Sequence, residues 1–399
     1  MNRKVRDWKF GLWAAVVMTL LSLYPQILMW GVRGREWNGA YAEFHGDEWV
    51  YSSYVQALID GRPRRNDPYT GRDDRPNQTQ PESLFSIQFF PAYLIAMPAR
   101  LLGITSSTAF IALGFIVPFL GCLSIFWLLA NLTQDHRLAA AGSVIVLCFG
   151  ALAAGEGLVH VLSSSFQYSF LPFLRRYDPA LPFPLFFVFC TFVWKSVTSN
   201  GHGSLGWAIC AGLTLDILIF SYFYLWTSAL AWLMCLTLLW LVVHRSQLRR
   251  YVPSFALIVL MALVALVPYA ILLSRRSPTM DSGQKLTLSH TPDLFRIPEL
   301  LGLALIVVIV WASRRGRINW RTPQNLFAAS FALLPLVIFN QQVLTGYSLQ
   351  PFHYELFIAN YVVLVGAAVL SVMLWRGGET EKRPIRYRVA VRFVLIAVW

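Results

Sequence analysis

Two adjacent carboxylates begin a helix-like pattern early in the chain. Asp47 and Glu48 follow Gly46, and Tyr51 comes one turn later. Carboxylates at a helix N-terminus are stabilised by the helix dipole and by free N–H groups, so a capped helix on a membrane surface is one interpretation. The other is a general base whose pKa is tuned by desolvation or by hydrogen bonds. The residue types alone leave both interpretations open.

Two arginines and an aspartate form a second set of polar residues, at Arg175, Arg176 and Asp178. Arginines close to a membrane surface often extend only to reach lipid phosphates. Alternatively, the planar guanidinium clamps the phosphate of a substrate through two parallel hydrogen bonds. The sequence does not decide between these roles.

A third set follows a late apolar run and combines amides, hydroxyls and one imidazole. It includes Gln341, Gln350 and His353. A connector between two membrane spans does not need so many side-chain donors, which favours a substrate-binding role. A structural role for the lone histidine is the alternative.

The sequence contains no dedicated metal or nucleotide motif. It has no HExxH, GxxxxGK[ST] or GxGxxG pattern, and its five cysteines lie in apolar runs without metal-ligand spacing. Asp47 and Glu48 could still hold Mg²⁺ or Mn²⁺ together with a substrate phosphate, because Mg²⁺ often takes one or two carboxylates plus phosphates. No cofactor is required by the sequence.

The amino-acid composition indicates that these residues belong to a membrane protein. Of the 399 residues, 56% are hydrophobic and only 13% are charged, against roughly 45–50% and 25% in globular proteins. Soluble and disordered classes are therefore excluded. The net charge of +13 is better explained by basic cytoplasmic loops than by a nucleic-acid partner.

Apolar runs of about 20 residues predict an all-α, polytopic membrane protein with about eleven transmembrane helices in a single domain, 1–399. The long run at 205–243 is divided at its Ser-Tyr-Phe-Tyr cluster, which is suited to a turn at the interface. A final run near Val389 is too short to span, so the natural chain is expected to continue beyond Trp399. The complete predicted spans are 11–30, 107–130, 138–155, 180–197, 205–221, 222–243, 252–273, 298–313, 323–340 and 356–375.

The distribution of Lys and Arg among the loops predicts which loops are cytoplasmic. With a cytoplasmic N-terminus, the basic loops fall inside only if the apolar segment 82–103 does not cross the membrane, as the positive-inside rule requires. This segment is therefore predicted to be an interfacial or re-entrant helix. The first extracytoplasmic loop, 31–106, then shares one face with the other large loops, 156–179, 274–297 and 341–355.

This layout resembles the GT-C superfamily of integral-membrane glycosyltransferases, in which a first span precedes a long outer loop that begins with an acidic motif. In protein O-mannosyltransferases that motif is an Asp-Glu pair, and Asp47-Glu48 occupies the matching place. The resemblance implies inverting transfer of a sugar from undecaprenyl- or dolichyl-phosphate to a hydroxyl. It further implies that Asp47, or secondarily Glu48, is the base.

The same resemblance, judged by the placement of the two arginines, implies that Arg175 or Arg176 binds the donor phosphate. The segment containing Gln350 and His353 is similar to late-loop motifs of bacterial relatives and gains no role from them. The expected partners are a polyprenyl-phosphate-linked sugar, the lipid bilayer and a glycan, lipid or protein acceptor. The expected location is the bacterial inner (plasma) membrane, with the active site on the extracytoplasmic side.

Two other functions stay open. A transporter or flippase of lipid-linked sugars predicts polar residues throughout the spans and broken helices near the midplane. The spans here are mostly apolar, with Asp216 as an exception, which favours the enzyme. An O-antigen polymerase or ligase would depend more on the arginines and on the late histidine-containing loop.

Overall fold

The computed structural model describes residues 3–152, 175–278, 280 and 287–377, which are mostly α-helical. A π-helical segment, Glu355–Ala359, joins the last two helices, and two short strands, β1 (Thr287–Leu288) and β2 (Tyr347–Ser348), pair antiparallel. In chain order the helices are α1 (Arg3–Arg33), α2 (Asp47–Ile59), α3 (Leu84–Ile87), α4 (Phe90–Leu102), α5 (Ser106–Thr133), α6 (His136–Leu152), α7 (Pro182–Thr198), α8 (His202–Ile219), α9 (Phe223–Val243), α10 (Leu248–Ser274), α11 (Ile297–Arg314), α12 (Pro323–Ile338), α13 (Gln342–Thr345), α14 (Pro351–Tyr354) and α15 (Asn360–Gly377).

Seven helical stretches in the described part of the chain are long and apolar enough to cross a membrane. This confirms a multi-pass membrane protein, whereas about eleven spans remains a prediction. Several of the predicted spans form shorter helices: α6 and α7 have 17 residues each, or about 26 Å at 1.5 Å per residue, just under a hydrocarbon core of about 30 Å. Residues 153–174, which include most of the predicted 156–179 loop, and the run near Val389 lie outside the described residues.

Close helix packing builds the centre of the bundle. Trp232 of α9 stacks on Phe331 of α12 with ring centroids 5.3 Å apart, and its Nε1 donates to the Ser330 hydroxyl over 3.0 Å. Where α11 meets α12, a Cβ on Gly302 would lie 2.3 Å from the carbonyl oxygen of Ala332. Only glycine permits that approach, as is common at helix contacts within membranes.

The turn predicted within the 205–243 run is confirmed, because α8 ends at Ile219 and α9 begins at Phe223. The segment 82–103 forms α3 and α4. At 13 residues, α4 is too short to span about 30 Å, and it exposes Leu94, Met97 and Leu101 while burying the opposite side. An apolar exposed side is typical of an interfacial helix, and that placement remains a prediction.

Described parts of the predicted outer loops contact one another at one end of the bundle. The backbone N–H of Glu82 donates to the carbonyl of Arg275 over 2.9 Å, joining the first loop to the end of α10. The Tyr224 hydroxyl at the start of α9 donates to Gln350 Oε1 over 2.9 Å. We call this end of the bundle the loop face.

Candidate active site

The two carboxylates at the start of α2 occupy different environments. Glu48 is fully buried, and its Oε1 accepts hydrogen bonds from the backbone N–H groups of Phe44, at 3.1 Å, and His45, at 3.3 Å. The Asp47 side chain is 48% exposed. Adjacent residues of a helix point about 100° apart, which is why one carboxylate turns inward and the other reaches the surface.

Glu48 and Arg176 form a buried ion pair that fixes two segments together. Arg176 Nε donates to Glu48 Oε2 over 2.9 Å, and its terminal nitrogens donate to the carbonyls of Phe110, at 3.2 Å, and Ala42, at 2.5 Å. Its guanidinium also lies 5.1 Å from the centroid of the Tyr41 ring. Each of the three guanidinium nitrogens of Arg176 therefore already donates to an acceptor within the protein, which favours a structural role.

Burial sets the proton affinity of Glu48. Removal from water raises the pKa of its carboxyl to about 7, although Arg176 and the backbone amides of Phe44 and His45 act in the opposite direction. Burial likewise raises the pKa of Asp178 well above its ordinary value, against the influence of Arg175. Asp178 Oδ1 is buried without a hydrogen-bond partner. Asp178 is therefore an internal neighbour of Arg175 rather than an exposed ligand.

Arg175 connects the acidic pair to the aromatic residues of two other segments. It forms an ion pair with Asp47 and donates hydrogen bonds to the hydroxyls of Tyr51, at 3.0 Å, and Tyr222, at 3.3 Å. Its guanidinium carbon lies 5.1 Å from the ring centroid of Phe357. The Nε of Arg175 is buried without a partner, so this side chain retains an unused donor.

The late polar segment reaches Arg175 through aromatic contacts. His353 stacks on Tyr224 with ring centroids 4.6 Å apart and lies 5.3 Å from the ring of Phe357, which itself contacts Arg175. The Nδ1 atom of His353 is buried without a hydrogen-bond partner. Gln350 contacts the same cluster through its hydrogen bond with Tyr224.

A cavity of about 480 Å³ adjoins this cluster, within the range of roughly 300–1,000 Å³ that holds small-molecule ligands. Tyr222 forms part of its wall and also accepts a hydrogen bond from Arg175, so this side chain connects the cavity to the guanidinium. Arg175 and Asp47 themselves do not line the cavity. Its polar lining includes Gln88, Arg276 and Gln341, among aromatic and aliphatic side chains. The cavity therefore combines apolar surface with a few hydrogen-bonding groups.

Apart from Asp178, the predicted site residues thus fall into three groups. Asp47, Tyr51 and Arg175 form one cluster, and Glu48 and Arg176 form a separate buried pair behind it. Gln341 lines the cavity, and Gln350 and His353 contact Tyr224 at its edge. Asp216, the exceptional polar residue within a span, lies on α8 with Oδ1 buried and unpartnered.

The sequence interpretation did not assign site roles to Tyr222, Tyr224, Phe357 or His45. Tyr222 and Tyr224 were predicted only as part of an aromatic turn at the interface. Their place at the loop face is the feature that could have indicated a role in the site. His45 Nδ1 lies 3.5 Å from Asp47 Oδ2. Phe357 belongs to a continuous apolar run and carries no such signal.

Each carboxylate of the acidic pair, which could hold a divalent cation together with a substrate phosphate, contacts an arginine in this structure. Asp47 pairs with Arg175, and Glu48 pairs with Arg176, so the two carboxylates are occupied by separate cations of the chain itself. Within residues 3–152, 175–278, 280 and 287–377, no three His, Cys, Asp or Glu side chains are grouped to hold a metal ion.

The chain matches no family model and no curated protein sequence.

Proposed function

We propose that the protein is a GT-C-like glycosyltransferase of the cell envelope. It transfers a sugar from a polyprenyl-phosphate donor to an acceptor hydroxyl, with inversion, at the extracytoplasmic face of the bacterial inner membrane. The observation that carries this proposal is the half-exposed Asp47 carboxylate paired with the buried guanidinium of Arg175, which is linked through Tyr222 to a cavity of about 480 Å³.

Arg175 is the group that binds the donor phosphate. Its buried position strengthens the attraction to an anion, because charges interact more strongly away from water. Phosphate is already a weak base, so its departure needs charge stabilisation more than a strong acid. Tyr51 and Tyr222 orient the guanidinium by accepting hydrogen bonds from its terminal nitrogens.

Asp47 is the general base. The acceptor oxygen forms a bond to the anomeric carbon while the bond from that carbon to the phosphate oxygen breaks. The bonding electrons leave with the polyprenyl phosphate, and the hydroxyl proton passes to Asp47. Attack opposite the leaving group inverts the anomeric centre, and the site contributes by holding the two reactants in line.

Glu48 is a positioning residue in this scheme. It is fully buried, and its two oxygens accept from Arg176 and from backbone amides. Deprotonation of an incoming acceptor by Glu48 would require breaking these interactions. We therefore assign the base to Asp47 alone.

The alternative functions are less well supported. A flippase needs a polar route through the bundle, whereas the ion pairs of Arg175 and Arg176 lie at the loop face. An O-antigen polymerase- or ligase-like enzyme is the second candidate, favoured by the contact of His353 with Phe357 beside Arg175. In that case His353, rather than Asp47, would be essential.

Reconstituted transfer tests the proposal. The purified protein in proteoliposomes would be given a panel of polyprenyl-phosphate monosaccharides and a mixed acceptor fraction. Asp47→Asn should lower transfer at least about 100-fold, the typical contribution of a general base. Asp60→Asn, at the exposed opposite end of α2, is the matched control and should retain transfer. Full activity in Asp47→Asn, or no transfer by the wild type across the panel, would rule the proposal out.

A further inference from the structure

Two outer segments are joined into one unit that we call the loop platform, comprising residues 287–296 and 339–350. β1 and β2 pair across it. Asn340 and Asp293 exchange two hydrogen bonds, from the backbone N–H of Asp293 to Asn340 Oδ1 at 3.0 Å and from Asn340 Nδ2 to the carbonyl of Asp293 at 3.1 Å. Gln342 Nε2 adds a bond to the carbonyl of Thr291 at 3.0 Å. The platform is therefore fixed by backbone and side-chain contacts.

Large apolar side chains project from the platform instead of packing under it. Leu288 is 79% exposed, Phe295 85%, Leu344 90% and Tyr347 51%. Leu288 and Tyr347 are directly paired across β1 and β2, so their side chains lie on the same side of this small ladder. Exposed apolar groups at this density are unfavourable in water and mark a contact surface.

The surroundings of the platform identify a lipid surface as its partner. Phe295 stands two residues before α11, whose exposed side chains Leu300, Leu303 and Val307 continue the same apolar character along a helix long enough to span a membrane. The charged groups beside Phe295 compensate one another, since Arg296 forms ion pairs with Asp293 and Glu355. Apolar surface continuous with a lipid-facing helix and flanked by paired charges suits the boundary between headgroups and acyl chains.

The geometry points to insertion of the loop platform into the interfacial layer of the bilayer, with Leu344, Phe295 and Leu288 in contact with lipid. Membrane binding by the loop platform does not depend on glycosyl transfer. Gln341, Thr345 and Tyr347 of the platform also line the cavity, so the cavity opens at headgroup depth and can receive its ligand from the membrane.

Spin-label accessibility tests the insertion. Leu344→Cys and Phe295→Cys would be labelled with a nitroxide in liposome-reconstituted protein, and collision rates would be measured with oxygen, which concentrates in lipid, and with a polar nickel chelate. Val307→Cys, 66% exposed on α11, supplies the lipid reference. Thr79→Cys, exposed in the polar part of the first loop, supplies the water reference. The unsubstituted chain measures labelling of the native cysteines.

We expect the oxygen-to-nickel ratio at both platform positions to exceed that of Thr79→Cys several-fold and to lie below that of Val307→Cys, because Val307 lies deeper along α11 and oxygen concentrates toward the bilayer centre. A ratio equal to that of Thr79→Cys at both positions would mean that the platform faces water and would overturn the inference. Low collision rates with both reagents would overturn it as well, because they would indicate that protein, such as a second copy of the chain, covers the surface. Both substitutions replace exposed side chains, so either position alone can decide if the other variant is poorly produced.

Discussion

Arg175 and Asp47 form an ion pair in which the guanidinium is buried and the carboxylate is about half exposed, with side-chain exposures of 5% and 48%. The buried partner keeps its orientation through Tyr51 and Tyr222. The carboxylate is thus the more solvent-exposed member of the pair. In the proposed reaction, a donor phosphate would compete with Asp47 for Arg175 and leave the carboxylate available to accept a proton.

The two adjacent arginines are expected to respond differently to replacement by lysine. Arg175→Lys should raise the KM for the lipid-phosphate donor at least about tenfold, because a lysine cannot present the planar fork of donors. Arg176→Lys should mainly lower the melting temperature, since it loses directed bonds to Glu48 and to the carbonyls of Ala42 and Phe110. Kinetics and thermal unfolding of both variants provide the measurement. The same pattern in both variants would contradict this division of roles.

Glu48 should make stability depend on pH. Its pKa is raised from 4.5 to about 7 in the folded state, so the fold favours the protonated form. This contribution is fully present below the unfolded pKa and is lost as pH rises through about 7; the shift corresponds to roughly 3 kcal/mol at most. Glu48→Gln imitates the protonated form and should remove this component.

The measurement is the unfolding free energy of the wild type and Glu48→Gln in detergent between pH 5 and pH 8. The wild type should lose stability relative to the variant as pH rises to about 7, and the difference should then level off. Parallel curves for the two proteins across the whole range would contradict the assignment of a raised pKa to Glu48.

His353 is expected to contribute a polar contact to the ligand rather than stability. His353→Phe keeps an aromatic ring against Tyr224 and Phe357 but removes the unpartnered Nδ1. Transfer should fall roughly tenfold, the effect of losing one hydrogen bond to a charged or reacting group, with little change in melting temperature. Tyr224→Phe keeps the stack and removes the hydrogen bond to Gln350, so it measures the contribution of that bond separately from that of the imidazole. Unchanged transfer in His353→Phe would remove His353 from the site.

Sequence patterns predict the membrane class and the start of α2 because both depend on local composition and residue order. They do not decide between Asp47 and Glu48, since the direction of each side chain depends on where the helix packs. The roles of Tyr222 and Phe357 arise from contacts with Arg175 across separate segments, which no local pattern encodes. The sequence pattern also does not determine the number of spans, because helices such as α6 and α7 are close to the minimum length that can cross a membrane.

Gly302 should be required for the contact between α11 and α12. A methyl group there would lie 2.3 Å from the backbone oxygen of Ala332, and a backbone atom cannot move aside as a flexible side chain can. Gly302→Ala should therefore lower the melting temperature in detergent by several degrees, because the strain of an overpacked contact costs about 1–3 kcal/mol.

Gly206→Ala on α8, where no atom lies within 4 Å of the added methyl group, is the matched control. It should leave stability unchanged or raise it slightly, because alanine favours a helix over glycine. Equal melting temperatures for the two variants would show that α11 and α12 do not approach each other this closely.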